Sequence, residues 1–158
     1  MLRLFAPIWR MLPNRLNWWL LGIVHARFMV SVIGVIFDDD GRVLVLRHRF
    51  WNGQGWGLPS GYARNGETLE AALARELREE TGYEIDDVRL LQVRSGRLPW
   101  IEVAFRARLT GGTRHLDSRE ILAAVFVAPE QLPANIPVFY QDLIKQMVQA
   151  TPTIQPSE

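Results

Sequence analysis

Three glutamates, Glu76, Glu79 and Glu80, stand at i, i+3 and i+4 in the stretch that runs from Gly61 to Tyr83. On a helix that spacing puts them on one face, about a turn tall. Like charges so placed destabilise a bare helix by about 0.2–0.5 kcal/mol per pair. A cation gathered by them turns the repulsion into binding. Clustered carboxylates with no His or Cys beside them select hard divalent ions such as Mg²⁺ or Mn²⁺. Mg²⁺ typically uses one or two protein carboxylates, waters and substrate phosphate oxygens. With no nucleophilic side chain in the cluster, the chemistry indicated is metal-assisted hydrolysis of a phosphoanhydride, through activated water and neutralised phosphate charge.

The helix that must carry these groups has its own start and stop signals. Thr68 is a fair N-cap, the helix runs to about Thr81, and Gly82 ends it. With Glu76 at 0° on a helical wheel, Glu80 falls near about +40° and Glu79 near about −60°. Leu69, Leu73 and Leu77 fall near about +20°, +60° and +100°. The acids thus flank the apolar stripe, whereas a merely solvated charge row sits on the far face. They point along the rim of a core, where a cleft can form.

The rest of the chain supplies the scaffold. Its 158 residues suit one domain with one real core. Phe28–Phe37 reads as a buried strand, Asp38–Gly41 as a hairpin turn, and Arg42–Arg49 as the returning strand. The turn is misspaced for a calcium loop. Phe50–Gly57 reads as a loop, and no Gly-Lys-Ser/Thr makes it a phosphate loop. Val88–Arg94, Ile101–Leu109 and Ile121–Val127 read as strands, with a turn at Gly111-Gly112. Pro129–Asn135 reads as a loop or short helical turn. Val138–Ala150 reads as a final helix with Phe139, Leu143, Ile144, Met147 and Val148 inward. The order predicts an α+β fold, a mixed αβα sandwich.

At this point the sequence closely resembles the Nudix hydrolase family. The family pattern is Gly, five residues, Glu, seven residues, then Arg-Glu-(aliphatic)-x-Glu-Glu-x-Gly-(aliphatic). Gly61, Glu67, Arg75, Glu76, Leu77, Glu79, Glu80 and Gly82 match in register. Tyr83 departs from the aliphatic last position, and Ser60 stands where many members have a second glycine. The lead-in Trp56-Gly57-Leu58-Pro59 is also similar, and the resemblance extends over about residues 28–150. It implies a Nudix-type αβα sandwich with a mixed central sheet. It also implies that Glu76, Glu79, Glu80 and the backbone carbonyl of Ser60 ligate Mg²⁺, with Mn²⁺ as a substitute. Glu67 would be tied to Arg75, with Gly61 and Gly82 as structural support, and Arg47 would contact substrate phosphate. For the general base, Glu76, Glu79 and Glu120 are candidates, and Glu102 a weaker one. A solvated surface charge is the competing reading for Glu120 and Glu102, and a solvated strand end for Arg47.

The remaining features are less specific. His25, His48 and His115 show no ligand spacing and read as structural or surface residues. Trp51, Trp56 and Trp100 read as packing residues, one of which could stack on a nucleobase. Net charge is +1, yet Arg3, Arg10, Arg15 and Arg27 lie in the first 37 residues with no acid, so the remainder carries −3. Arg94, Arg97, Arg106 and Arg108 form no compact basic run, so nucleic acid is not an expected partner. Without cysteine there is no disulfide and no thiolate site. No apolar run approaches the roughly 18 residues of a spanning helix. Arg10, Pro13, Asn14 and Arg15 interrupt any secretory signal, while the Arg-rich start leaves a transit peptide open. The expected location is cytoplasmic.

The expected organisation is an N-terminal helical extension over residues 1–27, a Nudix domain over 28–150 and a loose tail over 151–158. In the extension Leu16, Trp19, Leu20 and Ile23 follow helical spacing. That helix is read as packing on its own domain, as a homodimer face, or as a membrane-surface helix. The resemblance implies a small-molecule nucleotide substrate and a pyrophosphohydrolase. It would cleave a nucleoside diphosphate linked to a second moiety X, such as ADP-ribose or a nucleotide sugar. Pro99, sixteen residues past the motif, is similar to a marker of ADP-ribose-cleaving members. The alternatives are a nucleoside triphosphate sanitising enzyme and a non-catalytic nucleotide sensor or scaffold.

Overall fold

The computed structural model describes residues 13–16, 21, 25, 27–51, 55–96 and 98–150. Among the described residues, seven strands and two long helices form an αβα sandwich. The strands are β1 (Met29–Phe37), β2 (Val43–His48), β3 (Trp56–Gly57), β4 (Ser60–Tyr62), β5 (Tyr83–Ser95), β6 (Trp100–Gly112) and β7 (Ile121–Val127). The helices are α1 (Leu69–Thr81) and α2 (Val138–Ala150), with a 3-10 turn at Pro129–Gln131. The expected N-terminal helix and the tail lie almost wholly outside the described residues, as do the dimer and membrane roles suggested for the former. Among the described residues no helix is long and apolar enough to cross a membrane.

The sheet is mixed because β1 runs parallel to β6, while the other pairings are antiparallel. Alternation along β1 and β2 sorts the core onto two faces. Ile33, Val35, Val43 and Val45 meet Leu143 and Ile144 of α2. Val32 meets Ala72 and Leu73 of α1, while Ile36, Leu44 and Leu46 surround Leu77. Both faces are covered, which explains why β1 and β2 are nearly continuous apolar runs.

The feature that positions the site is a split in this sheet. β1 and β2 touch only at the hairpin end, where Phe37 faces Val43. Beyond it they diverge. β4 then pairs with β1 along Ser31–Ile33, and β3 pairs with β2 at Leu46 and Arg47. The gap between these two halves opens a cleft.

Several sequence readings need adjustment. Trp56–Gly57 is a short strand, not loop, and Ser60–Tyr62 is another. Strand β5 begins at Tyr83, directly after α1, and β6 runs through Gly111-Gly112, which pair with Glu84 and Tyr83 and make no turn. A two-residue strand has too little periodicity to be seen, and paired glycines mark a bend only when no neighbouring strand holds them. Val148 is 42% exposed, because the inward stripe of α2 ends at Met147.

Helix α1 starts as its cap signals dictate, with Thr68 Oγ1 accepting from the Ala71 N–H at 3.2 Å. It stops at Gly82, whose φ of 74° is left-handed and whose N–H bonds the Arg78 carbonyl. A Cβ there would also sit 2.2 Å from the Thr113 carbonyl oxygen. Gly82→Ala therefore adds backbone strain to a collision and is expected to cost more than the ~1 kcal/mol of the left-handed conformation alone. Urea unfolding of the variant at constant m-value checks this.

Candidate active site

The cleft between the two sheet halves has a volume of about 530 Å³. Ser31 and Ile33 of β1, with Ser60, Gly61 and Tyr62 of β4, line one side. His48, Phe50 and Trp51 at the end of β2 line the other, with Glu120 just before β7. Helix α1 sends in Glu76 and Glu80, and α2 contributes Tyr140. A larger hollow of about 630 Å³ lies at the hairpin end of β1. Most of its charges are paired, Arg42 with Asp38 and Asp40, and Arg106 with Asp87. It therefore lacks the concentrated uncompensated charge of the acidic cleft.

Glu80 is the unusual group. It is only 6% exposed, and among the described residues its Oε2 has no hydrogen-bond partner. Burial first, then the nearby Glu76, Glu120 and Glu79 carboxylates, push its pKa up to about 8. A buried, unpartnered carboxylate among like charges is costly unless something positive compensates it.

Glu76 reaches the cleft because Gly61 makes room. A Cβ at position 61 would lie 2.2 Å from the Glu76 carboxyl carbon. Arg75 organises the acids around it. It donates to both oxygens of Glu67 (3.0 and 2.8 Å), to Glu76 Oε1 (2.7 Å), to Glu79 Oε2 (3.3 Å) and to the Tyr62 carbonyl (3.1 Å). These contacts, with the Arg64 N–H on Glu67 at 2.6 Å, hold the Glu67 carboxyl down at about 2. The Arg75 guanidinium is correspondingly raised, chiefly by Glu67.

The structure brings Glu76, Glu80, Glu120, Ser60 and Gly61 to one cleft. Glu79 is instead turned outward, half exposed, onto Arg64 and Arg75. Gly82 and Glu67 brace the two ends of the α1 segment rather than line the cavity. Arg47 sits between Trp56 and Ala123 in its strand ladder and is not among the cleft-lining side chains.

The structure narrows two sequence readings here. Glu102 is no solvated charge: it is 5% exposed and paired with Arg94. Strand alternation alone hides which face a polar residue takes, and β6 turns Glu102 inward beside Ser31. His48 is not a surface residue either. It lines the cleft, stacks on Trp51 at 4.0 Å between ring centres, and burial lowers its pKa to about 4. Its ring is therefore neutral near pH 7. Nothing local in the sequence separates His48 from a strand-end surface histidine.

Do these residues suit a divalent cation? The donor set does: an orphaned buried carboxylate oxygen on Glu80, with Glu76, Glu120 and Ser60 on the same cleft. Among the described residues no three such side chains already converge on one point. Arg75 holds Glu76, and Arg64 and Arg75 hold Glu79, so the fit lies in the kind and burial of the donors.

The NUDIX domain profile matches residues 27–147. This chain belongs to the Nudix hydrolase family. It is 35% identical over 112 residues to a MutT-like protein of Streptomyces ambofaciens, covering 70% of this chain and 71% of that one. It is 37% identical over 97 residues to the 8-oxo-dGDP phosphatase NUDT18 of Mus musculus, covering 58% of this chain and 30% of that protein. It is 30% identical over 133 residues to the NAD-capped RNA hydrolase NudC of Vibrio atlanticus, covering 81% of this chain and 47% of that protein. The chain thus spans less than half the length of these last two relatives. A Nudix hydrolase structure from Nitrosomonas europaea superposes with a TM-score of 0.71 at 24% identity, over 84% of this Nudix chain and 77% of the other. At that identity the likeness concerns the fold.

Replacing Glu80 by Gln removes the buried charge and leaves a hydrogen-bonding group of the same shape. In the presence of a chelator, Glu80→Gln is expected to raise the melting temperature at pH 8, by roughly 2–4 °C per kcal/mol of relieved repulsion. Added Mg²⁺ should raise the melting temperature of the wild-type protein and not of the variant. Calorimetric scans with and without Mg²⁺ measure both effects.

Proposed function

We propose that this Nudix hydrolase is a Mg²⁺-dependent pyrophosphohydrolase that cleaves a nucleoside diphosphate linked to a second moiety X. The products are a nucleoside monophosphate and phosphorylated X. The observation that carries this reading is the uncompensated Glu80 carboxylate beside Glu76 and Glu120, in a cleft lined by aromatic and polar side chains on its other sides. Glu76, Glu79, Glu80 and the Ser60 carbonyl would hold the cation, Mn²⁺ substituting for Mg²⁺. When bound, such a cation supplies charge neutralisation on the phosphates and acidifies water.

The chain's own residues have separable tasks. Arg75 orients Glu76 and Glu79 through the contacts above. Glu79 must leave Arg64 to act as a ligand, a small cost for a half-exposed pair. Glu120 would accept a proton from the attacking water, a role supported by its sharing the cleft with Glu80 and by its exposure. One P–O bond forms to the water oxygen as the bridging P–O bond breaks, and the bridging oxygen leaves on phosphorylated X. Arg47 is the proposed contact for an outer phosphate, reached from the end of β2. The names of the NudC and NUDT18 relatives support a substrate built on a nucleoside diphosphate.

The test is a panel of ADP-ribose, NAD, UDP-sugars, 8-oxo-dGDP and 8-oxo-dGTP with saturating Mg²⁺, read by anion-exchange chromatography. The expected products are a nucleoside monophosphate and phosphorylated X from a diphosphate conjugate. Inorganic pyrophosphate released from a triphosphate would instead favour a sanitising enzyme. Tight nucleotide binding with no product would favour a sensor. Glu79→Gln is expected to lower kcat by about 10²-fold on the best substrate, and wild-type turnover in that variant would refute its assigned role.

A further inference from the structure

The strand side of the cleft carries a charge that the motif does not explain. Four carboxylates line the cavity, those of Glu76, Glu80, Glu102 and Glu120. Among the described residues one guanidinium faces them, that of Arg94. A polyphosphate entering so acidic a space needs positive charge from the protein as well as from cations in solution.

Arg94 is held in a way that suits this task. It sits opposite Glu102 across the β5–β6 ladder, and its Nε donates to Glu102 Oε1. Its Cζ lies 3.4 Å from the centre of the Phe139 ring and 5.2 Å from that of Trp100. Trp100 is itself fixed, its indole N–H donating to Ser31 Oγ at 2.9 Å. An arginine has five N–H donors in a rigid fork. Here Nε takes one, and neither Nη nitrogen makes a hydrogen bond among the described residues. About a third of the side chain's surface stays open, at 36%.

A purely structural role for this pair accounts for Glu102, since a carboxylate this buried needs a partner. It does not account for an open, doubly stacked guanidinium on the cavity wall. Arg75, by contrast, spends its N–H groups on four neighbours and has none to offer. The planar fork of Arg94 matches a phosphate through two parallel N–H donors. Its stacking and its anchor remove most of the disorder that binding would otherwise have to suppress.

We propose that Arg94 is a substrate-binding residue that clamps a phosphate through Nη1 and Nη2, with Glu102, Trp100 and Phe139 as the positioning residues that hold the fork. For the identity of the substrate this rests on the diphosphate-hydrolase reading above, while the anion site itself does not. The clamp faces the acidic side of the cleft, so a diphosphate there meets carboxylates with their cation on one hand and a guanidinium on the other. It also gives the cleft wall a phosphate contact separate from the outer one proposed for Arg47, which lies outside the lining.

The test is titration calorimetry on the full chain with Mg²⁺ present and three probes: inorganic pyrophosphate, AMP and uncharged adenosine. Arg94→Gln is expected to weaken pyrophosphate and AMP at least tenfold and to leave adenosine unchanged. Arg94→Lys should recover only part of the loss, because it keeps the charge but not the fork. Arg94→Gln strands a buried Glu102 carboxylate and can lower stability. The double variant Arg94→Gln/Glu102→Gln removes both charges, and should melt near the wild-type temperature while still losing pyrophosphate tenfold. Pyrophosphate binding within twofold of wild type in Arg94→Gln or in the double variant overturns the clamp, as does a wild-type protein that binds neither anion. A parallel fall in affinity for all three probes also overturns it, in favour of a structural pair. If the wild-type protein binds pyrophosphate through Arg94 yet hydrolyses nothing on the panel, the hydrolase reading fails and the clamp stands. If it hydrolyses a diphosphate with the same KM in both variants, the reverse holds.

Discussion

One guanidinium organises the acids of this protein. Arg75 joins the loop before α1 through Glu67, strand β4 through the Tyr62 carbonyl, and the helix through Glu76 and Glu79. Without that cation, three carboxylates would crowd one patch and spread apart. With it they are drawn to a common centre, and the segment from Gly61 to Glu79 becomes one braced unit. The pairing is only slightly exposed on both the Arg75 and Glu67 sides, where a broken partner costs far more than at a free surface.

The same arrangement leaves a deliberate imbalance. Arg75 and Arg64 compensate Glu67, Glu76 and Glu79. Neither reaches Glu80, which is the most buried acid of the group. The electrostatic deficit of the whole cluster is therefore concentrated at Glu80, which lines the cleft and whose buried Oε2 makes no hydrogen bond among the described residues. A single divalent cation placed there would relieve the repulsion among Glu76, Glu80 and Glu120 together. Such a cation would couple binding to folding at this point, because it would offset the cost of the buried Glu80 carboxylate.

The cleft itself is a consequence of how the sheet divides. β1 and β2 begin as a hairpin and then take different partners, β4 and β6 for one, β3 and β7 for the other. Residues from opposite sheet halves then face each other across a gap, and the side chains of α1 enter from below it. This places residues far apart in sequence on one cavity, such as Ser31, His48, Glu80, Glu102 and Tyr140. Ser31, His48 and Glu102 lie outside the motif, yet they help form the wall against which a substrate must lie.

The longer strands and helices in their order, the caps of α1 and the acidic face of that helix were legible in the sequence. They depend on local rules: periodicity, an N-cap hydroxyl at Thr68 and a left-handed residue at Gly82. The family, too, was legible, since its motif is a run of contiguous residues with tight spacing. The strand pairings of Trp56–Gly57 and Ser60–Tyr62 were not, because two or three residues carry no period of their own. The inward turn of Glu102 and the burial of His48 depended on which strand neighbours they acquired, and so did the grip of Arg94 between Phe139 and Trp100. Those facts come from β1–β6 and β5–β6 register and from the packing of α2, contacts between segments that the chain separates by tens of residues. Short-range sequence therefore determined which groups could do chemistry, and the tertiary fold decided which of them share a cavity, because only long-range pairing chooses the face on which a strand residue lies.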